Sequence, residues 1–204
     1  MTSSPPAPLR IAVADDDADT REFLEKFVPR LGHTVSSVAR TGKELVEHCR
    51  RQPPDLIITD VKMPELSGLE AVEAVNRDAP VPAILLTGHS APGWVEKARD
   101  IGVMAYLMKP VTEEDLAPAI ALARRHFEEV RALRRESAEL RQALEDRKLI
   151  ERAKGAVGRR CGLGEADAYQ RMRKLATSHS RKMVEVAQQV LAAEEAFRAI
   201  EEIG

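Results

Sequence analysis

Apolar and polar positions alternate in two different periods along the first half of the chain. Leu9 to Ala14 is a short apolar run that ends on Asp15, Asp16 and Asp17. From Thr20 to Leu31 the apolar residues Phe23, Leu24, Phe27, Val28 and Leu31 recur at the spacing of an amphipathic helix, and Gly32 stops it. The alternation repeats and predicts strands at 33–38, 55–60, 82–87 and 103–108, with helices near 42–51, 67–77 and 92–101 and another starting at about 113. Five strands alternating with five helices imply an α/β fold: a five-stranded parallel, doubly wound sheet with right-handed crossovers.

The pattern then changes. Pro118 is tolerated only near the start of a helix, and from there no Gly or Pro interrupts the chain until Gly155, which predicts one helix of about 40 residues. Along it Val130, Leu133, Leu140 and Leu144 keep three- and four-residue spacing, with Ser137 in one seam position. That is the seam of a short coiled coil between two copies, the plainer alternative being a solvated connecting helix. Leu149, Ile150, Ala153 and Val157 carry the helix on to Gly162. Glu165–Leu175 and Met183–Ile200 follow as helices, the latter with Ala187, Val190 and Leu191 inward, so the C-terminal part predicts a small three-helix bundle. The expected division is a disordered Ser/Pro-rich tail over 1–8, a first domain over 9–120, a coiled-coil linker over 121–145 and a helical domain over 146–204.

Composition sharpens this division. Aromatic residues are 3% and charged residues 31% of the chain, which suits a helix-rich fold and not an all-β one. The net charge is only −2, but residues 1–120 hold 13 Lys+Arg against 19 Asp+Glu, and residues 121–204 hold 18 against 14. Within Arg147–Lys182 there are 11 basic and three acidic residues, a block that points to a polyanion-binding output, although charged helices are often merely solvated. Cys49 and Cys161 lie far apart without a CxxC or His neighbourhood, so free thiols are expected. No stretch has the apolar length of a signal peptide core or a membrane span, and a cytoplasmic, membrane-free location is expected.

The candidate chemistry sits where the strands end. Leu56, Ile57, Ile58 and Thr59 deliver Asp60 to the carboxyl edge of the sheet, and ligands of open parallel sheets bind outside that edge. The first strand brings Asp15 and Asp16 there, the fourth Thr87, and the fifth Lys109 followed by Pro110. Asp60 can act as a nucleophile that becomes an aspartyl phosphate. Asp15, Asp16 and Asp60 supply the oxygen ligands that Mg²⁺ requires, and Lys109 and Thr87 would stabilise phosphoryl oxygens. The plainer readings are a helix cap for the acids, a simple strand residue for Thr87, a solvated charge for Lys109 and core packing for Tyr106.

Taken in order, Asp15/Asp16, Asp60 with Met63, Pro64 and Gly68 after it, Thr87, Tyr106 and Lys109–Pro110 resemble the receiver domain of two-component response regulators. The resemblance implies the flavodoxin-like form of the fold, Asp60 as the acceptor of phosphate from a histidine kinase, and a need for Mg²⁺ with the backbone carbonyl of Lys62 as a further ligand. It also implies a switch in which Thr87 turns toward the phosphate and Tyr106 follows, and a cis Lys109–Pro110 bond. Lys62 and His89 are positions expected to tune phosphate hydrolysis.

Arg147, Ile150, Ala153, Lys154 and Gly155, then Ala168, Tyr169, Arg173, Ala176, Val186 and Ala187, resemble the ANTAR domain, an RNA-binding output module of transcription antitermination regulators. Ser180 departs from the amide side chain usual there. The resemblance implies recognition of RNA hairpin loops in nascent transcripts, and Arg147, Lys154, Arg159, Arg160, Arg173, Lys174 and Arg181 are the expected RNA contacts. Tyr169 is expected to pack inside the bundle. The resulting expectation is a phosphorylation-controlled antiterminator, a homodimer whose dimerisation responds to phosphorylation, and not an enzyme. The alternative is a DNA-binding response-regulator transcription factor.

Overall fold

In the computed structural model residues 7–88 and 101–202 are described. The helix expected near 92–101, His89 and residues 1–6 of the expected tail lie outside them. The chain divides into two compact units, Met1–Ala132 and Leu133–Gly204.

The first unit is built on strands β1 (Arg10–Ala14), β2 (Thr34–Ala39), β3 (Leu56–Asp60), β4 (Ala83–Thr87) and β5 (Val103–Met108). All pairings are parallel, in the order β2-β1-β3-β4-β5. β3 is central and every one of its residues is buried, which is why it reads as an unbroken apolar run and not as an alternation. Its neighbours in sequence serve opposite faces. Ile57 joins Ala12, Leu85, Leu45, Val72 and Val75 under helices α2 (Gly42–Arg51) and α3 (Gly68–Asp78). Ile58 joins Val13, Ile84, Leu24 and Leu116 under α1 (Ala18–Arg30) and the first turns of α4 (Glu113–Cys161). Each such aliphatic side chain contributes roughly 1.5–3 kcal/mol by leaving water, so the sheet is clamped from both sides.

Local signals set the element ends. Asp17, not Asp15 or Asp16, caps α1 by accepting from the Asp19 N–H, and this leaves the two preceding acids for other work. Ser67 and Glu70 form a reciprocal capping box on α3. Gly68 has no room for a side chain, because a Cβ there would overlap the carbonyl oxygen of Asp60. At the start of α4 the Thr112 hydroxyl and N–H both donate to Asp115, at 2.6 and 3.0 Å. Cys49 is buried, which pushes its thiol up to about 11, whereas Cys161 is exposed.

His33 carries a pH dependence. Its Nδ1 accepts from the Leu9 N–H at 3.3 Å, so the ring is held neutral on that nitrogen. Burial, and then the charge of Arg124, push its pKa below the usual histidine value. A depressed folded pKa means that the unfolded chain binds the proton more tightly. This contribution to stability is therefore complete above pH 6.5 and is lost as pH falls below it. The urea midpoint of the first unit is expected to drop between pH 7.5 and 5.5, and to drop less in His33→Asn, whose amide oxygen can still accept from Leu9. An equal drop in both proteins would rule His33 out as the group responsible.

Helix α4 runs 49 residues, the long stretch and its continuation that the sequence predicts, and closes at Gly162, which adopts φ +65°. Between its packed ends it is held by short-range ion pairs such as Arg125–Glu129 and Lys148–Glu145. Leu133, Leu140 and Leu144 are exposed on it and Val130 is half-buried, so the three leucines of the predicted seam are left uncovered by the described residues. The second unit adds α5 (Glu165–Ser178) and α6 (Met183–Glu201) to the end of α4. Its core is Ala153, Met172, Ala176, Val186, Ala187 and Leu191, with Leu149, Ile150, Val157 and Val190 around them, the three-helix bundle the sequence predicts. Tyr169 corrects the expectation. Ala168, Met172 and Ala176 occupy the inward stripe of α5, and Tyr169, one step round, is 39% exposed. Ser180 holds φ +51°, a left-handed conformation that an Asn eases, so an amide side chain at this position suits the backbone.

Candidate functional site

β1 and β3 are neighbours in the sheet, and their carboxyl ends bring Asp15, Asp16 and Asp60 together. Oxygens of the three carboxylates lie within 4.8 Å of one another. Asp60 is 7% exposed and Asp15 fully buried, while Asp16 faces solvent. Lys109 reaches in from the end of β5, with Nζ 2.7 Å from Asp15 Oδ2 and 3.4 Å from Asp60 Oδ1. The Lys109–Pro110 bond that follows is cis, as the resemblance implies.

The charges are not balanced. Burial pushes the Asp15 carboxyl above the ordinary aspartate range. Lys109, together with the Asp17 N–H, offsets this only in part, and the charge of Asp60 adds to it. Burial would lower the Lys109 ammonium, but the hydrogen bond and charge of Asp15, and then Asp60, outweigh it and hold Lys109 above its usual value. Lys109 directs its hydrogen bond to Asp15 Oδ1 at 3.0 Å, and Oδ2, although close to the ammonium, receives no hydrogen bond. A buried carboxylate beside two further carboxylates, with oxygens of all three within 4.8 Å of one another, is a donor set that fits a hard divalent cation.

Several residues hold this arrangement. Arg21, absent from the sequence candidates, donates from Nη1 to the carbonyls of Asp15 and Asp16 at 2.7 and 2.9 Å and pins the turn that carries both acids. Its signal was its place one turn into the helix that follows the acids, but a surface arginine is the usual reading of such a position. The Thr59 hydroxyl donates to the Asp60 carbonyl at 3.1 Å, and the Gly68 backbone packs against that same carbonyl. Thr87 ends β4 beside the Asp60 end of β3, and its carbonyl accepts from the Lys109 N–H at 2.8 Å. Tyr106, on β5, pairs in register with Leu85 of β4 and is 38% exposed, so it is not a core residue. Lys62 is exposed two residues beyond Asp60.

The cations expected to touch RNA fall into two groups. Lys154 is ion-paired with Glu151 and Glu165 at 2.6 and 3.1 Å, and its side chain is only 14% exposed. Arg159 is paired with Glu194 at 2.7 Å, Arg160 lies over the Phe197 ring at 4.0 Å, and Arg181 donates to Gln189 at 2.8 Å. Arg147, Arg173 and Lys174 are exposed and make no ion pair among the described residues. Among those residues no helix is long and apolar enough to cross a membrane.

Comparison with known proteins agrees with both halves. The family described as the response regulator receiver domain matches residues 11–121, and the ANTAR domain matches residues 138–191. The transcriptional regulatory protein PdtaR of Mycobacterium tuberculosis is 40% identical over 184 residues, covering 90% of this chain and 90% of its own. Among solved structures, the chemotaxis protein CheY4 of Vibrio cholerae is 26% identical with a TM-score of 0.54, covering 57% of this chain and 99% of its own. A response regulator receiver domain protein from Clostridium thermocellum is 30% identical with a TM-score of 0.55, covering 59% and 98%.

Proposed function

The chain belongs to the response regulators that carry a receiver domain and an ANTAR domain, and from that premise we propose that it is a phosphorylation-controlled RNA-binding antiterminator. The observation that carries this reading is Asp60, an acceptor carboxylate at a sheet edge with Lys109 beside it and the carboxylates of Asp15 and Asp16 nearby. A histidine kinase is the proposed donor. An Asp60 carboxylate oxygen attacks the phosphorus of phosphohistidine, the new O–P bond replaces the P–N bond, and the imidazole leaves with the bonding pair and takes up a proton. Lys109 offsets charge on the phosphoryl oxygens, and the Thr87 hydroxyl supplies a hydrogen bond once its side chain turns toward them. Mg²⁺, held by Asp15, Asp16, Asp60 and the Lys62 carbonyl, would draw off negative charge at the same oxygens. Tyr106, on the outer strand, is the side chain that follows Thr87 in the switch.

The output is RNA hairpin binding that holds a nascent transcript in its antiterminated form. The chain is proposed to act by binding in the cytoplasm, with no turnover of an external substrate. Phosphorylation favours a homodimer through the Leu133, Leu140 and Leu144 stripe, which places two helical units on one RNA. Sedimentation equilibrium is expected to show phosphorylated wild type as a dimer and Leu133→Lys/Leu140→Lys as a monomer. A dimer that survives both charges, or a wild type that stays monomeric when phosphorylated, would count against that stripe. The output itself is tested by competing a two-hairpin RNA with duplex DNA of matched length. RNA should displace DNA, and the reverse order would favour a DNA-binding factor.

A further inference from the structure

Cations in the helical unit are separated by what else lies within their reach. The groove between the end of α4 and the second half of α6, about 850 Å³, is lined by four arginines, Arg159 and Arg160 among them, and by four glutamates, so its charge cancels. Arg159 can meet a phosphate there only by giving up Glu194, and Arg160 only by leaving the Phe197 ring. A second concavity, about 630 Å³, lies along the outer side of α5. Asp167, Gln170, Arg171, Arg173, Lys174 and Thr177 line it, three cations against one acid. Arg171, Arg173 and Lys174 are all exposed, and none makes an ion pair among the described residues. Their geometry follows from the helix. Ala168, Met172 and Ala176 take the inward stripe, so Gln170, Arg171, Lys174 and Thr177 fall at three- and four-residue spacing on the opposite side.

We propose that this α5 cup, and not the larger groove, holds the RNA backbone phosphates, with Arg171 as a contact that the sequence did not single out. The inference rests on the RNA-binding reading above and adds where on the unit the polyanion sits. The physical ground is local charge. A phosphate entering the cup meets three cations against the single acid Asp167, with no ion pair to break among the described residues, and the Gln170 amide flanks them with an uncharged donor. A phosphate entering the groove meets as much negative as positive charge, and Arg159 and Arg160 reach it only by leaving their present contacts.

The test compares two charge-matched variants of the full chain against a synthetic two-hairpin RNA: Arg171→Ala/Lys174→Ala in the cup and Arg159→Ala/Arg198→Ala in the groove. Both remove two positive charges from exposed helix surfaces. At about 150 mM salt the cup variant is expected to lose at least about tenfold in affinity, and its plot of log affinity against log salt to become shallower by about 1.4, two phosphate contacts at about 0.7 each. The groove variant is expected to stay within about threefold of wild type. If wild type binds and the cup variant binds as well as it does, or both variants lose equally, the placement is overturned while RNA binding stands. If wild type itself does not bind the hairpin RNA, the RNA reading fails and the placement with it.

Discussion

Asp60→Asn is expected to take up no phosphoryl group from acetyl phosphate, where wild type is labelled at a single site. An amide nitrogen whose lone pair is delocalised does not attack phosphorus, and the amide oxygen carries no full charge with which to form an acyl phosphate. The substitution keeps the shape of the side chain, and Asp60 lies at the open end of β3 with its backbone held by Thr59 and Gly68, so the fold should persist. Intact-protein mass spectrometry reads the result directly, as one phosphate on wild type and none on the variant. Phosphate on Asp60→Asn at the wild-type level would place the acceptor elsewhere. Lys109 pairs with both carboxylates and is no substitute for the nucleophile.

Asp15→Asn is expected to separate stability from function. Burial holds the Asp15 carboxyl above its usual pKa even after Lys109 and the Asp17 N–H have contributed, so near neutral pH the ionised group is one the fold would rather have neutral. The sign follows from linkage. With a folded pKa above the unfolded one, the native state binds the proton more tightly, and stability is lost as pH rises from the unfolded value through the folded one. An amide never bears that charge, and the melting temperature at pH 7 should rise. The same substitution removes one of the three clustered carboxylates, and Mg²⁺ affinity measured by calorimetry should fall by about tenfold or more. A lower melting temperature with Mg²⁺ affinity unchanged would show that Asp15 is a structural partner of Lys109 and nothing more.

Much of the fold could be read from the sequence because its strongest signals are local. β3 declares itself by four consecutive buried residues before an acid, and α4 by a long stretch without Gly or Pro as far as Gly155 and a stop at the left-handed Gly162. The acids and the lysine of the site could be placed for the same reason, since a parallel sheet sends every strand's carboxyl end to one edge. What could not be read depends on contacts distant in sequence or on one-residue differences in helix phase. Arg159 and Glu194 are 35 residues apart and meet only when α4 and α6 pack, so the sequence counts Arg159 as an available cation and the structure shows it committed. Lys154 looks like a surface charge until α5 brings Glu165 to it. Tyr169 is displaced from the core by a single step, because Ala168 beside it takes the fully buried position on the inward stripe. Arg21 acts through its guanidinium on backbone carbonyls, which leaves no trace in a pattern of side-chain types.

The most direct test of phosphorylation-controlled RNA binding is the affinity of the full chain for a two-hairpin RNA, with and without acetyl phosphate plus Mg²⁺, in wild type and in Asp60→Ala. The account predicts that affinity rises only in phosphorylated wild type. Equal affinity in all four samples would contradict the coupling between Asp60 and the helical unit.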